Sequence, residues 1–353
     1  MPSRINKLLH VLEIKHIDAL FISSSANIYY LSGYYSTDCF MLISRKKSFI
    51  LTDKRYYEQI SKLTDKKYIQ ARLIDKDIAT SLKQLCNEFK LKRIGFESKN
   101  VSFFLFEKLR AALLKNIYLC PTINLIENLR IIKDASEIRL LKQAIKTNIS
   151  IFKLAKQKVC IGENEQNITS FITKRALSEG LSLSFEPIVA AGKNSSQPHH
   201  IANKTIIKNN IPLLIDMGIT KKQYKSDLTR TWFLGKITPN FNKLYKLVQQ
   251  AQKLAIANIK PGISACEIDA FARNFFKKHR LQKNFLHSLG HGIGLEIHEA
   301  PFVNSRNNQI LKQGMVFTVE PGLYFPNKFG IRIEDVVVVT KKGCEVLSGN
   351  FNK

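Results

Sequence analysis

No stretch of this 353-residue sequence stays apolar for the roughly 18 residues that a membrane-spanning helix needs. The opening segment MPSRINKLLHVLEIKHID interleaves charges with leucines and lacks the apolar centre of a secretion signal, so a cytoplasmic location is expected. Six cysteines (Cys39, Cys86, Cys120, Cys160, Cys266 and Cys344) include no C-x-x-C pair and no zinc-finger spacing, which argues for reduced thiols over a disulfide scaffold. With 16 Gly and 10 Pro against 44% hydrophobic residues, the chain is neither collagen-like nor disordered. Acidic residues are also scarce, 28 against 55 basic ones, for a net charge of +27. No block of five or more like charges occurs, so the excess reads as solvated surface; a folded patch that binds a polyanion stays open as a weaker reading. Neither a membrane nor a specific nucleic-acid partner is expected.

The length suits two domains. Within residues 1–125, DALFIS (18–23), CFMLIS (39–44), KSFILTD (47–53) and RIGFES (93–98) read as strands, separated by segments with helical spacing, and residues 101–115 start a helix. This predicts a mixed α/β domain over 1–125. Beyond Pro121–Asn128, Asp134 followed by Glu137 forms a capping pattern ahead of a long amphipathic run, and three more helical runs follow. IPLLIDMG, SDLTRTWFLG, GMVFTVEPGLYF and IRIEDVVVVT read as strands. Grouped helices and grouped strands predict an α+β second domain over 126–353, with antiparallel hairpins and no short-period repeat.

Four carboxylates break otherwise apolar strands: Asp216 in IPLLIDMG, Asp227 at the start of DLTRTWF, Glu320 in MVFTVEPG and Glu334 in IRIEDVVVV. A carboxylate in such a setting loses several kcal/mol of hydration, roughly 2–7 for a polar group and more for a charge, unless it is paired or metal-bound. Hairpin pairing can bring two of them to about 5 Å across strands. The segment HSLGHGIGLEIHE adds His287, His291 and His298 among glycines that permit close backbone approach. Two Asp, two Glu and one His suit two bridged divalent ions, Mn²⁺ foremost, with Co²⁺, Fe²⁺ or Zn²⁺ also accommodated. Taken singly, each of these residues could equally be a strand edge or a satisfied loop.

The motifs IDMG, SDLTRT, GHGIGLEIHE, VEPG and IRIED resemble those of the pita-bread metallopeptidases, in particular the Xaa-Pro branch of aminopeptidase P and prolidase. The resemblance covers essentially the whole chain and implies a creatinase-like N-terminal domain (1–125) and a pita-bread catalytic domain (126–353). It implies metal ligation by Asp216, Asp227, His291, Glu320 and Glu334, with Asp227 and Glu334 bridging two ions. Glu320 would also shuttle a proton, and His298 would stabilise the oxyanion. His199, in AAGKNSSQPHH, would lie near the substrate and its neighbour His200 would face solvent. His287 and Arg332 would stand near a proline pocket, and Tyr324 and Tyr224 are candidate supporting groups. A homodimer also follows from the resemblance.

Two divalent ions close together lower the pKa of a shared water from about 15.7 toward 7, giving a nucleophile for the carbonyl before proline. The prolyl amide lacks an N–H, so an apolar, ring-shaped pocket can select it. Some prolidases hold a dipeptide's carboxylate with an arginine shortly after the His-Glu pair; here HEAPFVNSR places Phe302 near that position and Arg306 further on. The expected activity is therefore an Xaa-Pro aminopeptidase acting on peptides with proline second. A dipeptidase is the alternative, and a catalytically silent peptide-binding module a weaker one.

Overall fold

The computed structural model describes residues 2–63, 68–113, 117–349 and 351, and the chain divides into two compact units, Met1–Arg130 and Ile131–Lys353. The first unit is built on a mixed sheet of β1 (Ala19–Ile22), β2 (Cys39–Ser44), β3 (Ser48–Thr52), β4 (Ile69–Leu73), β5 (Arg93–Glu97) and β6 (Tyr118–Thr122), ordered β4-β3-β2-β1-β5-β6. Its helices are α1 (Pro2–Ile14), α2 (Ser25–Ser32), α3 (Lys54–Leu63), α4 (Ile78–Glu88), α5 (Phe103–Leu113) and α6 (Glu127–Arg130). All four residues of central β1 are buried, as a strand covered on both faces requires. The four strands expected here are present to within a residue at each end. Edge strands β4 and β6 escape the sequence reading because IQARL is half polar and YLCPT carries a proline, both tolerated at a sheet edge. The end of the helix expected over 101–115, residues 114 and 115, lies outside the described residues. Arg130 Nη1 donates to Asn27 Oδ1 at 2.7 Å, and Asn27 Nδ2 donates to Glu127 Oε1 at 2.7 Å. Residues 126–130, which the sequence reading puts in the second domain, are thereby tied to the first unit.

The second unit uses one plan twice. Its first half runs α7 (Ala135–Lys158), α8 (Glu165–Ser178), β7 (Ser182–Leu183), β8 (Ile188–Ala191), β9 (Ile211–Met217), β10 (Ile219–Lys221), β11 (Tyr224–Lys225) and β12 (Leu228–Leu234). The second half runs α9 (Pro239–Ala257), α10 (Ala265–Lys278), β13 (Gly290–Gly292), β14 (Glu299–Val303), β15 (Val316–Val319), β16 (Gly322–Phe325), β17 (Phe329–Arg332), β18 (Asp335–Val339) and β19 (Cys344–Val346). Each half has its own apolar core, one joining α7 and α8 to β8, β9 and β12, the other joining α9 and α10 to β15 and β18. The α7 start is the capping box that Asp134 and Glu137 forecast, and Ser264 with Glu267 forms another at α10. Residues 162–164 and 262–264 match in layout: a glycine of positive φ, then a side-chain cap from Asn164 or Ser264. This repeat lies in the layout of the elements, so a search for a short sequence period misses it.

In both halves a long antiparallel pair opens to let out a small hairpin. β9 pairs with β12 from Ile211↔Leu234 to Met217↔Leu228, and β10–β11 departs between them. β15 pairs with β18 from Val316↔Val338 to Val319↔Asp335, and β16–β17 departs between them. GMVFTVEPGLYF and IRIEDVVVVT are therefore two strands each; Pro321 cannot donate to a ladder and helps end β15. Asp227, Glu320 and Glu334 lie at these openings, and Asp216 is the penultimate residue of β9. Among the described residues no helix is long and apolar enough to cross a membrane.

Candidate metal centre

Close backbone approach makes the centre. A Cβ on Gly218 would lie 2.1 Å from the Ser226 carbonyl oxygen, and one on Gly290 would lie 1.9 Å from the Thr318 carbonyl oxygen. Only glycine allows these strands to approach so closely. The approach brings Asp216, Asp227, His291, Glu320 and Glu334 to the wall of one pocket of about 490 Å³.

Asp227, His291 and Glu334 offer donor atoms all within 4.8 Å of one another. His291 Nε2 is 3.6 Å from Asp227 Oδ2 and 3.3 Å from Glu320 Oε1. Its Nδ1 faces the Gly292 carbonyl oxygen at 3.1 Å, and a carbonyl only accepts, so Nδ1 carries the proton. Burial lowers the His291 pKa, and the neutral ring then points its Nε2 lone pair at two carboxylates. Burial also raises Asp227 well above the usual carboxylate range, with Glu334, Asp216 and Glu320 adding to it. Glu334 is raised for the same reason, reinforced by Glu320 and Asp216, and Glu320 is pushed up to about 8. Asp216 Oδ1 and Asp227 Oδ1 are buried without a hydrogen-bond partner. Electron-pair donors that converge where burial disfavours bare carboxylate charge form a set that a divalent cation satisfies.

Four of the five also have protein partners. Asp216 Oδ2 accepts from Arg332 Nη2 at 2.6 Å, and Glu320 Oε1 accepts from Thr318 Oγ1 at 3.0 Å. Thr229 Oγ1 donates to Glu334 Oε2 at 2.6 Å, and Thr318 Oγ1 accepts the His291 N–H at 3.0 Å. The sequence reading passed over Thr229 and Thr318. The signal for both is the two-residue period of a strand, which puts Thr229 on the face of Asp227 and Thr318 on the face of Glu320.

Arg332, His287, His199 and His298 also line the pocket. The His298 ring centroid is 4.3 Å from that of His291, and burial with the neighbouring His291 and His199 lowers its pKa. Tyr324 is fully buried, and its hydroxyl is occupied by Arg332 and His287. Arg332 Nη1 donates to the Tyr324 oxygen at 2.7 Å. His287 Nδ1 faces the Ser288 carbonyl at 2.8 Å, so its Nε2, 2.9 Å from the Tyr324 hydroxyl, accepts that proton. Burial and the adjacent Arg332 push His287 down to about 3, keeping it neutral, and burial pushes Tyr324 up to about 12. The Tyr224 hydroxyl donates to Glu137 Oε1 at 2.9 Å, away from the pocket-lining set. The expectation for His200 is overturned. His199 is the exposed member of the pair, whereas His200 is buried with Nε2 2.8 Å from Glu165 Oε2. The pair lies at a turn in which the His200 N–H donates to the Gln197 carbonyl at 3.2 Å, and the sequence cannot tell which member such a turn sends inward.

Residues 139–341 match the profile of metallopeptidase family M24, and residues 4–132 match that of the creatinase/prolidase N-terminal domain. The chain is 33% identical to the uncharacterized peptidase YqhT of Bacillus subtilis, over 98% of this chain and 97% of that one. A solved Xaa-Pro dipeptidase from Bacillus anthracis superposes with a TM-score of 0.94 at 32% identity, covering 99% of this chain and 97% of the other. An X-Pro aminopeptidase from Thermotoga maritima superposes at 0.90 with 33% identity, covering 98% and 97%. The α+β architecture, with its creatinase-like first domain and pita-bread second domain, agrees with these matches. On this family match, divalent metal ions are the cofactor class to which the converging carboxylates and imidazole correspond. The chain belongs to metallopeptidase family M24.

Proposed function

We propose that this protein is an Xaa-Pro aminopeptidase whose Asp216, Asp227, His291, Glu320 and Glu334 hold two divalent ions, manganese foremost. The observation that carries the reading is the convergence of four carboxylates and one neutral imidazole on one pocket, with Asp216 Oδ1 and Asp227 Oδ1 left without a partner. When bound, such ions polarise the scissile carbonyl and activate a water.

The chain's own groups do the rest. Glu320, its Oε1 3.3 Å from His291 Nε2 in the pocket wall, is suited as a carboxylate to take a proton and return it to the leaving amine. His298, kept neutral, offers an N–H to the developing oxyanion, a contact worth about 2.7–4 kcal/mol in comparable sites. His199 lines the same pocket and faces the substrate, and His287 and Arg332 border the proline ring. Phe185, Pro187, Ile201, Ile297 and Phe302 supply apolar lining, which accepts a ring and excludes water.

The pocket lining also bears on subclass. Among the described residues its one guanidinium is Arg332, which already serves Asp216, Tyr324 and Thr229, and no described lysine lines the pocket. A dipeptide's carboxylate finds no uncommitted cation there, which favours longer peptides over Xaa-Pro dipeptides. A cytoplasmic homodimer completes the reading, on the six free cysteines and on the resemblance.

The test loads purified protein with Mn²⁺ and supplies an Xaa-Pro dipeptide and an Xaa-Pro-Yaa peptide side by side. Cleavage of the longer peptide, two metal ions per chain by elemental analysis, and a loss of about 10³-fold or more in Asp227→Ala are expected. Turnover of the dipeptide alone reassigns the protein as a dipeptidase. Full activity in the Asp227→Ala variant refutes the metal assignment.

A further inference from the structure

Glu165 has no exposed surface, and nothing in the proposed chemistry uses it. It opens α8, yet its carboxylate reaches the far end of another segment. Oε1 accepts from the Ala191 N–H at 2.7 Å and from Asn194 Nδ2 at 2.9 Å. Oε2 accepts from the Asn203 N–H at 3.2 Å and lies 2.8 Å from His200 Nε2. The same helical turn adds two backbone bonds, Glu165 N–H to the Thr205 carbonyl at 3.2 Å and Gln166 N–H to the Asn203 carbonyl at 3.1 Å. Both ends of segment 191–205 are thus fastened to one turn of helix. Between the fastenings stand Pro198, His199, His200 and Ile201, which form a wall of the pocket. The wall is also held from the β16–β17 hairpin, where the Gly330 N–H donates to Ser195 Oγ at 2.9 Å.

We propose that Glu165 is a positioning residue: its buried carboxylate sets the 191–205 wall and so fixes His199 in the pocket that holds the catalytic groups. The argument is one of hydrogen-bond parity. Ala191 N, Asn194 Nδ2 and Asn203 N can only donate, and they approach both carboxylate oxygens, so the position needs acceptors on both sides. Glutamine has nearly the same shape but presents an NH₂ on one side, where it meets a donor whichever way it is turned. A buried donor left facing a donor is costly, and the exposed segment is the part free to move.

The kinetic arm of the test rests on the peptidase reading; the proteolysis arm does not. Lys193 and Lys204 are exposed and flank the wall. In Glu165→Gln with parental metal content, trypsin is expected to cut at these lysines about tenfold faster, because cleavage follows local opening. The variant's kcat/KM on an Xaa-Pro peptide is expected to fall about tenfold. In a His199→Ala background the same change is expected to cost less than about threefold, since the residue being positioned is gone. A folded Glu165→Gln protein cut at the parental rate overturns the proposal, and so does an equal kinetic loss in both backgrounds. Asn194→Ala removes a single donor to the carboxylate and is the milder variant should glutamine prevent folding, with about threefold expected in each readout. A metal-loaded parent that cleaves no Xaa-Pro peptide refutes the peptidase reading alone, and trypsin still decides whether Glu165 holds the wall.

Discussion

Stripping divalent ions from this protein is expected to leave a fold that weakens as the solution becomes more alkaline, and Glu320 makes the effect calculable. Burial pushes its carboxyl up to about 8 from the usual 4.5, with Arg332 opposing and Asp216 adding to the shift. In the unfolded chain the same group ionises near 4.5. Below that pH both states keep the proton, and nothing is lost. Between 4.5 and 8 the unfolded chain has released its proton while the folded chain retains it, so unfolding gains ground with each step in pH. Above 8 the loss levels off. At about 1.36 kcal/mol per unit over 8 − 4.5 = 3.5 units, the loss is about 5 kcal/mol, comparable with the whole stability of a small domain. Asp227 and Glu334 shift in the same direction and deepen it. Replacing Glu320 by Gln removes the titration and keeps an acceptor for Thr318 Oγ1. The chelated variant is expected to exceed the chelated parent by up to about 5 kcal/mol at pH 9 and by about 1 kcal/mol or less at pH 5. Urea unfolding in excess chelator, followed by fluorescence of Trp232, the single tryptophan, measures the difference. A chelated variant no more stable than the parent at pH 9 would refute the reasoning.

Three further outcomes are expected. Tyr324→Phe deletes the hydroxyl between Arg332 and His287 and should lower kcat/KM about tenfold in steady-state assays, at unchanged metal content. Phe302→Arg supplies a cation at a pocket position and should raise dipeptide hydrolysis relative to a longer peptide by about tenfold, read in a competition assay. Gly218→Ala forces a methyl against the Ser226 carbonyl and should destabilise the metal-free protein by about 1–3 kcal/mol in urea, while also reducing metal retention.

The four carboxylates are legible in the sequence because an acid inside a run such as LLID or FTVE violates the pattern of a buried strand, and such violations collect at functional sites. His291 is legible through its flanking glycines. Thr229 and Thr318 are less so, because threonine is an ordinary strand residue and its role emerges only once the register is known. The β16–β17 insertion is invisible because its residues continue the apolar pattern of the strands it interrupts, and β10–β11 because polar ITKKQYK reads as a plain turn between two strands. Glu165 is the hardest case. Helix-start acids are common, and only tertiary contact with residues 191–203 separates this one from a dipole partner.

The openings in the two long strand pairs carry a consequence for how the protein is made. Asp216 and Asp227 come from the first half of the second unit, and His291, Glu320 and Glu334 from the second. During synthesis the first half can assemble most of its own core, all but Phe351, while holding only two of the five proposed ligands. The set is incomplete until Glu334 has left the ribosome. High-affinity metal capture is thereby deferred until nearly the whole second unit has been made, so a truncated product from an interrupted message would compete poorly for divalent ions and would carry no complete metal site into the cell.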